Sequence, residues 1–155
     1  MRKLVLVFLV LPLACTLEQR GAPEPDATTE VVVGNTKHTD SVEVIISMPT
    51  FAALGDEVPI NLIVRNATDR RLELHLNGRQ TNFDIAIMRP DSTLVWQRLG
   101  NSIQQILQLR PLQPGESFIL EERWRADVPG DYLVTAELPT DTAPLRAGTA
   151  KLIIR

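Results

Sequence analysis

From residue 42 to residue 154, apolar residues recur at every second position, in short runs separated by turn signals. Such alternation puts the apolar side chains on one face of an extended chain and is typical of half-buried strands. Val58, Ile60, Leu62 and Val64, for example, share one face. The pattern predicts nine strands, over residues 42–48, 58–66, 72–76, 83–87, 93–97, 103–109, 117–124, 131–138 and 147–154.

The number and spacing of these strands predict an all-β fold, an immunoglobulin-like antiparallel β-sandwich of about 7–9 strands. Residues 101–109 also fit a helical period, but they lie between turns inside an all-β pattern, so a strand is predicted there. Asp131 and Tyr132 follow a Pro-Gly turn, as at the start of a late strand in such sandwiches. The predicted aromatic core consists of Phe83, Trp96, Phe118, Trp124 and Tyr132.

Two turn signals lie in the middle of the strand pattern. Asn77-Gly78 predicts a type I′ hairpin turn between the strands at 72–76 and 83–87, because both central positions of that turn need positive φ. Pro90-Asp91-Ser92 predicts a second turn, in which the proline holds φ near −65°.

The N-terminal residues have a different pattern. Arg2 and Lys3 precede an apolar run over residues 4–13, which fits the core of a signal peptide and is too short to span a bilayer as a helix. The run leads into Ala14 and Cys15, the single cysteine of the chain. This arrangement resembles the lipobox of bacterial lipoproteins, although Pro12 stands where that motif usually has leucine. An ordinary secretory signal with an incidental cysteine is the alternative.

Three segments are therefore predicted along the chain. Residues 1–14 are a lipoprotein signal peptide, and Cys15 is the lipid attachment site. Residues 15–41, polar and dotted with proline, are a flexible tether with a stray strand at "EVVV". Residues 42–155 are the sandwich domain. This organisation predicts a lipoprotein of the cell envelope that is anchored in the membrane and faces the periplasm or the exterior.

Composition narrows the range of functions. The 155 residues are 44% hydrophobic and 23% charged, with a net charge of −3, which argues against a nucleic-acid partner. The two histidines, His38 and His75, lie in separate regions without the spacing of metal ligands, and His75 alternates with core leucines and should point outward. We find no nucleophile–base pair, paired carboxylates or phosphate loop. The sequence predicts a protein that is not an enzyme and uses no metal or cofactor.

A longer pattern carries a family resemblance. It runs through a strand ending in Asn-x-Thr-Asp, a polar Gly–Gln turn, an aromatic–Asp strand, a tryptophan, a glutamine strand, Leu-x-Pro-Gly-Glu, a second tryptophan and Gly-x-Tyr. Over residues 57–138 this order resembles the BsuPI family, the intracellular proteinase inhibitor domain. The matching residues are Asn66, Thr68, Asp69, Gly78, Gln80, Phe83, Asp84, Trp96, Gln104 or Gln105, Leu112, Pro114, Gly115, Glu116, Trp124, Gly130 and Tyr132.

The resemblance implies an immunoglobulin-like fold, a protein partner and inhibition of a subtilisin-like serine protease, without a cofactor. A non-inhibitory structural or accessory module of the cell envelope stays open as the alternative. Arg79 separates Gly78 from Gln80, which are adjacent in the family pattern. The partner-binding residues are therefore predicted in this loop, at Asn77, Gly78, Arg79, Gln80, Thr81 and Asn82. Residues 98–102 and 139–144 are two further polar, turn-rich segments to test by mutation.

Overall fold

The structure is a computed structural model, and it describes residues 31–33, 41–77, 82–99 and 107–155. Nine of its strands correspond to the nine predicted from alternation. Three further strands, β1, β3 and β11, have only two or three residues each. In chain order the strands are β1 Val31–Val33, β2 Val42–Pro49, β3 Phe51–Ala52, β4 Glu57–Asn66, β5 Leu72–Asn77, β6 Asp84–Met88, β7 Leu94–Gln97, β8 Leu107–Leu112, β9 Ser117–Arg125, β10 Gly130–Leu138, β11 Leu145–Arg146 and β12 Ala150–Ile154.

The strands form two main sheets and a ribbon. One sheet has the order β1-β2-β4-β9, and the other has the order β3-β12-β10-β6-β7, with β11 beside β10. Strands β5 and β8 form a separate antiparallel ribbon. All pairs are antiparallel except β3 with β12. This division of alternating strands between two sheets confirms the predicted immunoglobulin-like sandwich.

The core lies between the two sheets. Strand β2 alternates buried and half-buried residues along its whole length, and β10 does so over most of its own. Their inward residues join those of β4, β6 and β12 in one apolar cluster. Ile85 and Ile87 are fully buried there and Phe83 is 4% exposed, as predicted. Trp96 is only half buried and packs at the margin of this cluster.

Tyr132 begins the buried part of β10 in a geometry that is characteristic of this fold. Its hydroxyl donates a hydrogen bond to the carbonyl oxygen of Val128, four residues upstream. Its ring lies 5.2 Å from that of Trp124 in an edge-to-face arrangement. A tyrosine that bonds back to the preceding corner is the tyrosine corner of immunoglobulin-like sandwiches. The prediction that Asp131 and Tyr132 lie at the start of a late strand is therefore correct.

The turn at Pro90-Asp91-Ser92 is confirmed as a hairpin between β6 and β7. The Ser92 amide donates to the Arg89 carbonyl oxygen at 2.9 Å, and Ser92 takes a positive φ of 69°. A type I turn followed by one residue in the left-handed region is a common three-residue hairpin loop. The Thr93 amide donates to the Asp91 carboxylate, which holds the pKa of this exposed group below its usual value.

The hairpin predicted at Asn77-Gly78 is wrong. Strand β5 pairs with β8 over its full length, whereas β6 pairs with β7 and β10 in the second sheet. Asn77 is the last residue of β5 and pairs with Leu107. An Asn-Gly signal reports local backbone preference only. The strand partner is decided by burial, because β5 continues from β4 and β8 leads into β9, which already pair with each other.

Candidate partner-binding site

Asn77 and Asn82 are the two members of the predicted partner loop that the structure describes, while residues 78–81 lie outside the described ranges. The Asn77 amide donates to the Pro139 carbonyl oxygen at 3.4 Å, and its side-chain Nδ2 donates to the Thr140 carbonyl oxygen at 3.0 Å. Asn82 is half buried and directly precedes the buried Phe83. Both ends of the loop are therefore held by the folded domain.

Arg98 fastens the second polar segment to the sandwich. Its Nε donates to the Glu122 carboxylate at 2.8 Å, and one terminal nitrogen donates to the Phe83 carbonyl oxygen at 2.8 Å. The guanidinium also stacks over the Phe83 ring, 4.0 Å from its centroid. The next residue, Leu99, donates its amide to the Asp84 carboxylate. Residues 100–102 of this predicted segment lie outside the described ranges.

The third polar segment, residues 139–144, packs against the end of β5. The Thr140 hydroxyl donates to the Ala143 carbonyl oxygen at 2.7 Å, which closes a turn. The Asp141 amide donates to the His75 carbonyl oxygen at 3.2 Å, and Nδ1 of His75 lies 2.8 Å from the Asp141 carboxylate. His75 points away from the core, as predicted.

These contacts bring the described residues of the three predicted segments to one end of the sandwich. Asn77 contacts residues 139–140 directly, and Asn82 leads into Phe83, which Arg98 holds. Across the ribbon, Leu107 pairs with Asn77, so the start of β8 lies beside the end of β5. The described ends of these connecting segments are thus attached to the folded domain, and loops on a folded scaffold commonly carry binding residues.

The described polar groups of this end include one ion pair at the surface. The His75 and Asp141 side chains are about 40% exposed, so their pair sits at the surface and ties β5 to the turn. No group of three or more His, Cys, Asp or Glu side chains in the described ranges could hold a metal ion. The same ranges contain no helix that is long and apolar enough to cross a membrane.

Sequence reasoning missed the most exposed apolar residues near this end. Leu107 and Leu109 on β8 are 54% and 55% exposed. The strand predicted over residues 103–109 is present from Leu107 to Leu112, while residues 103–106 lie outside the described ranges, and no facing is predicted for it from the sequence. The available signal was the alternation of these leucines with Gln108 and Arg110, just before Pro111, because proline within a strand indicates a sheet edge.

Residues 77, 82, 98–99 and 139–144 lie at one end of the sandwich, which we call the loop end. The fold and these residues define an immunoglobulin-like domain with a candidate protein-binding end. The sequence matches the family described as BsuPI, intracellular proteinase inhibitor, over residues 47–143. This match covers more than half of the chain, so the protein belongs to the BsuPI family, and the predicted resemblance is confirmed. A comparison with curated protein sequences finds no match.

Three solved structures are among the matches of this chain, at low sequence identity. The C-terminal domain of wzt matches 81% of this chain and 78% of its own, with 13% identity and a TM-score of 0.49. The CARDB domain of PF1109 from Pyrococcus furiosus matches 74% of this chain and 94% of its own, with 14% identity and a TM-score of 0.45. A beta-glucosidase from Listeria innocua shares 12% identity at a TM-score of 0.43, over 77% of this chain. The chain spans only 16% of that enzyme.

Proposed function

We propose that this protein is a lipid-anchored, extracytoplasmic binding module that inhibits a serine protease of the subtilisin-like class. The observation that carries the proposal is the family match over residues 47–143, which includes β4 to β10 and the loop end. An inhibitor must present a segment that loses little conformational entropy on binding. The hydrogen bonds at Asn77, Arg98 and Thr140 supply such a frame.

The proposal is tested by measuring inhibition constants of the full chain against a panel of subtilisin-like and other serine proteases. Inhibition at or below micromolar concentration is expected. The double variant Arg79→Glu/Gln80→Ala is expected to weaken inhibition by about tenfold or more, because interface residues of this kind commonly contribute over 1 kcal/mol.

Arg123→Glu is the matched control for charge reversal. Arg123 follows Glu122 on β9, and its side chain is 75% exposed and contacts Glu57 on β4, outside the three loop segments. Its inhibition constant should stay within about threefold of the wild type, as expected outside an interface. If the wild type inhibits no protease in the panel, the inhibitor proposal is wrong and the structural or accessory envelope module becomes the better proposal.

The membrane anchor is a separate part of the proposal, supported by the basic and apolar residues before Cys15. Cys15→Ser removes the thiol that would carry the lipid. In a bacterial host, the protein is then expected to move from the membrane fraction to the soluble or secreted fraction, because stable anchoring requires acyl chains. Fractionation with immunoblotting measures the shift. Equal membrane partitioning of both forms would contradict the lipid anchor.

A further inference from the structure

We propose that the free edge of β8, residues 107–111, is the segment that enters the substrate cleft of the protease. Leu109 would occupy the main apolar pocket of that cleft, and Leu107 a site two residues before it. This inference deepens the proposed inhibitory function and rests on it. Proteases bind extended chains by strand pairing, in which backbone hydrogen bonds supply affinity and alternate side chains supply specificity.

The two leucines project away from the domain because the opposite face of β8 is occupied. Arg110 turns inward and stacks over the Phe118 ring, 3.8 Å from its centroid. Leu112, also on the inner face, is fully buried. Since side chains alternate along a strand, Leu107 and Leu109 share the outer face and are each about 55% exposed. Both leucines can therefore enter the substrate cleft of the protease together.

Strand β8 also has an available backbone. In the described part of the chain it pairs only with β5, so its other side presents amide and carbonyl groups in the geometry that a new strand needs. Pro111 lacks an amide hydrogen and marks the end of the segment that can pair. The pairing segment is thus short, as expected for a peptide that fills a cleft.

The other edges near β8 carry features that oppose strand addition. On β9, Glu122 points inward and is bound by Arg98, and an inward charge on an edge strand disfavours further pairing. Strand β7 has four residues, and its pairing with β6 is irregular between Ile87 and Met88. Among these three edges, β8 combines two exposed leucines with a backbone side that no described strand pairs.

The charges around the two leucines favour an uncharged pocket. Across the ribbon, Leu109 lies opposite His75, whose ring contacts Asp141 at 2.8 Å. Glu73, on the same outer face, contacts Arg71 at 3.5 Å. Because Arg71 and Glu73 carry opposite charges and lie in contact, this pair adds little net charge beside the leucines. Burial of the leucines would supply the main driving force.

The test compares Leu109→Lys with Ile119→Lys in the full chain, against the protease that the wild type inhibits. Ile119 is 54% exposed on the neighbouring edge strand β9, so the two changes match in chemistry and exposure. Leu109→Lys is expected to weaken inhibition at least about 30-fold, the effect typical of an interface hot spot. Ile119→Lys should change it less than about threefold, and both variants should unfold within a few degrees of the wild type.

Hydrogen exchange provides a second readout. Backbone amides of residues 107–110 should exchange more slowly in the complex than in the free protein, because strand pairing protects them. Unchanged inhibition by Leu109→Lys, or equal loss in Ile119→Lys, would overturn the role of β8 while leaving the inhibitory function standing. Failure of the wild type to inhibit any protease would instead overturn the proposed function and this inference together.

Discussion

Replacing Asn66 by aspartate is expected to lower the free energy of unfolding by about 3–4 kcal/mol, because several buried hydrogen bonds are lost at once. Asn66, the last residue of β4, is fully buried. Its Nδ2 lies within hydrogen-bonding distance of the carbonyl oxygens of Arg70 (2.7 Å), Leu112 (3.1 Å) and Gln113 (3.1 Å). An aspartate of the same shape would place a carboxylate oxygen among these carbonyl oxygens, and that contact is repulsive.

The other half of the Asn66 amide holds the turn that follows it. Its Oδ1 accepts hydrogen bonds from the Thr68 amide at 2.9 Å and the Thr68 hydroxyl at 2.7 Å. The Asn66 main chain also contacts Gly115 and Glu116 in the turn between β8 and β9. One side chain therefore fastens both turns through which the ribbon leaves the four-stranded sheet.

A fully buried asparagine is inaccessible to glycosylation in the folded state, although Asn66-Ala67-Thr68 has the form of a sequon.

Urea denaturation followed by tryptophan fluorescence measures the effect. Asn77→Asp is the matched control, since the Asn77 side chain donates one hydrogen bond within the described ranges, to the Thr140 carbonyl oxygen, in a partly buried setting. Its expected cost is about 1 kcal/mol. If the two variants lose the same free energy of unfolding, the hydrogen bonds of Asn66 do not have the special role in holding the ribbon that is expected here.

Replacing Trp124 by alanine is expected to cost about 3–5 kcal/mol, the range for large-to-small changes in protein cores. Trp124 is 6% exposed and packs edge-to-face on Tyr132. Its removal leaves a cavity beside the tyrosine corner and takes away the ring contact with Tyr132. The guanidinium of Arg89 lies over the Tyr132 ring, 4.3 Å from its centroid. Because Arg89 belongs to the β6–β7 hairpin, loss of support for the Tyr132 ring should also destabilise that hairpin.

Trp96→Ala provides the comparison for this second prediction. Trp96 is half buried on the edge strand β7, so its replacement should cost roughly half as much in proportion to the area it buries. Trp124→Phe keeps an aromatic ring against Tyr132 and should recover most of the stability. Thermal unfolding followed by circular dichroism ranks the three variants. A Trp124→Ala protein as stable as Trp96→Ala would contradict the central position of Trp124.

Alternation was sufficient to predict most strands and the inward face of β6. Phe83, Ile85 and Ile87 are the apolar residues of a two-residue alternation, so they lie on one face of the chain and that face packs on the core. The Pro90 turn was equally predictable, because proline restricts φ wherever it lies. Arg98 was named only as part of a loop. Its contacts with Phe83 and Glu122 join residues far apart in the chain and have no local signal.

The sequence by itself determined the all-β class, the BsuPI family, the extent of most strands and the buried side of strands such as β4 and β6. These properties follow from backbone preferences and the period of the side chains, both of which are local. The tertiary structure decided that β5 pairs with β8 and not with β6, that Asn66 holds two turns, and that the exposed Leu107 and Leu109 lie on a strand that, among the described strands, pairs only with β5. Each depends on which strand lies alongside another, and that choice is made by burial of the whole core.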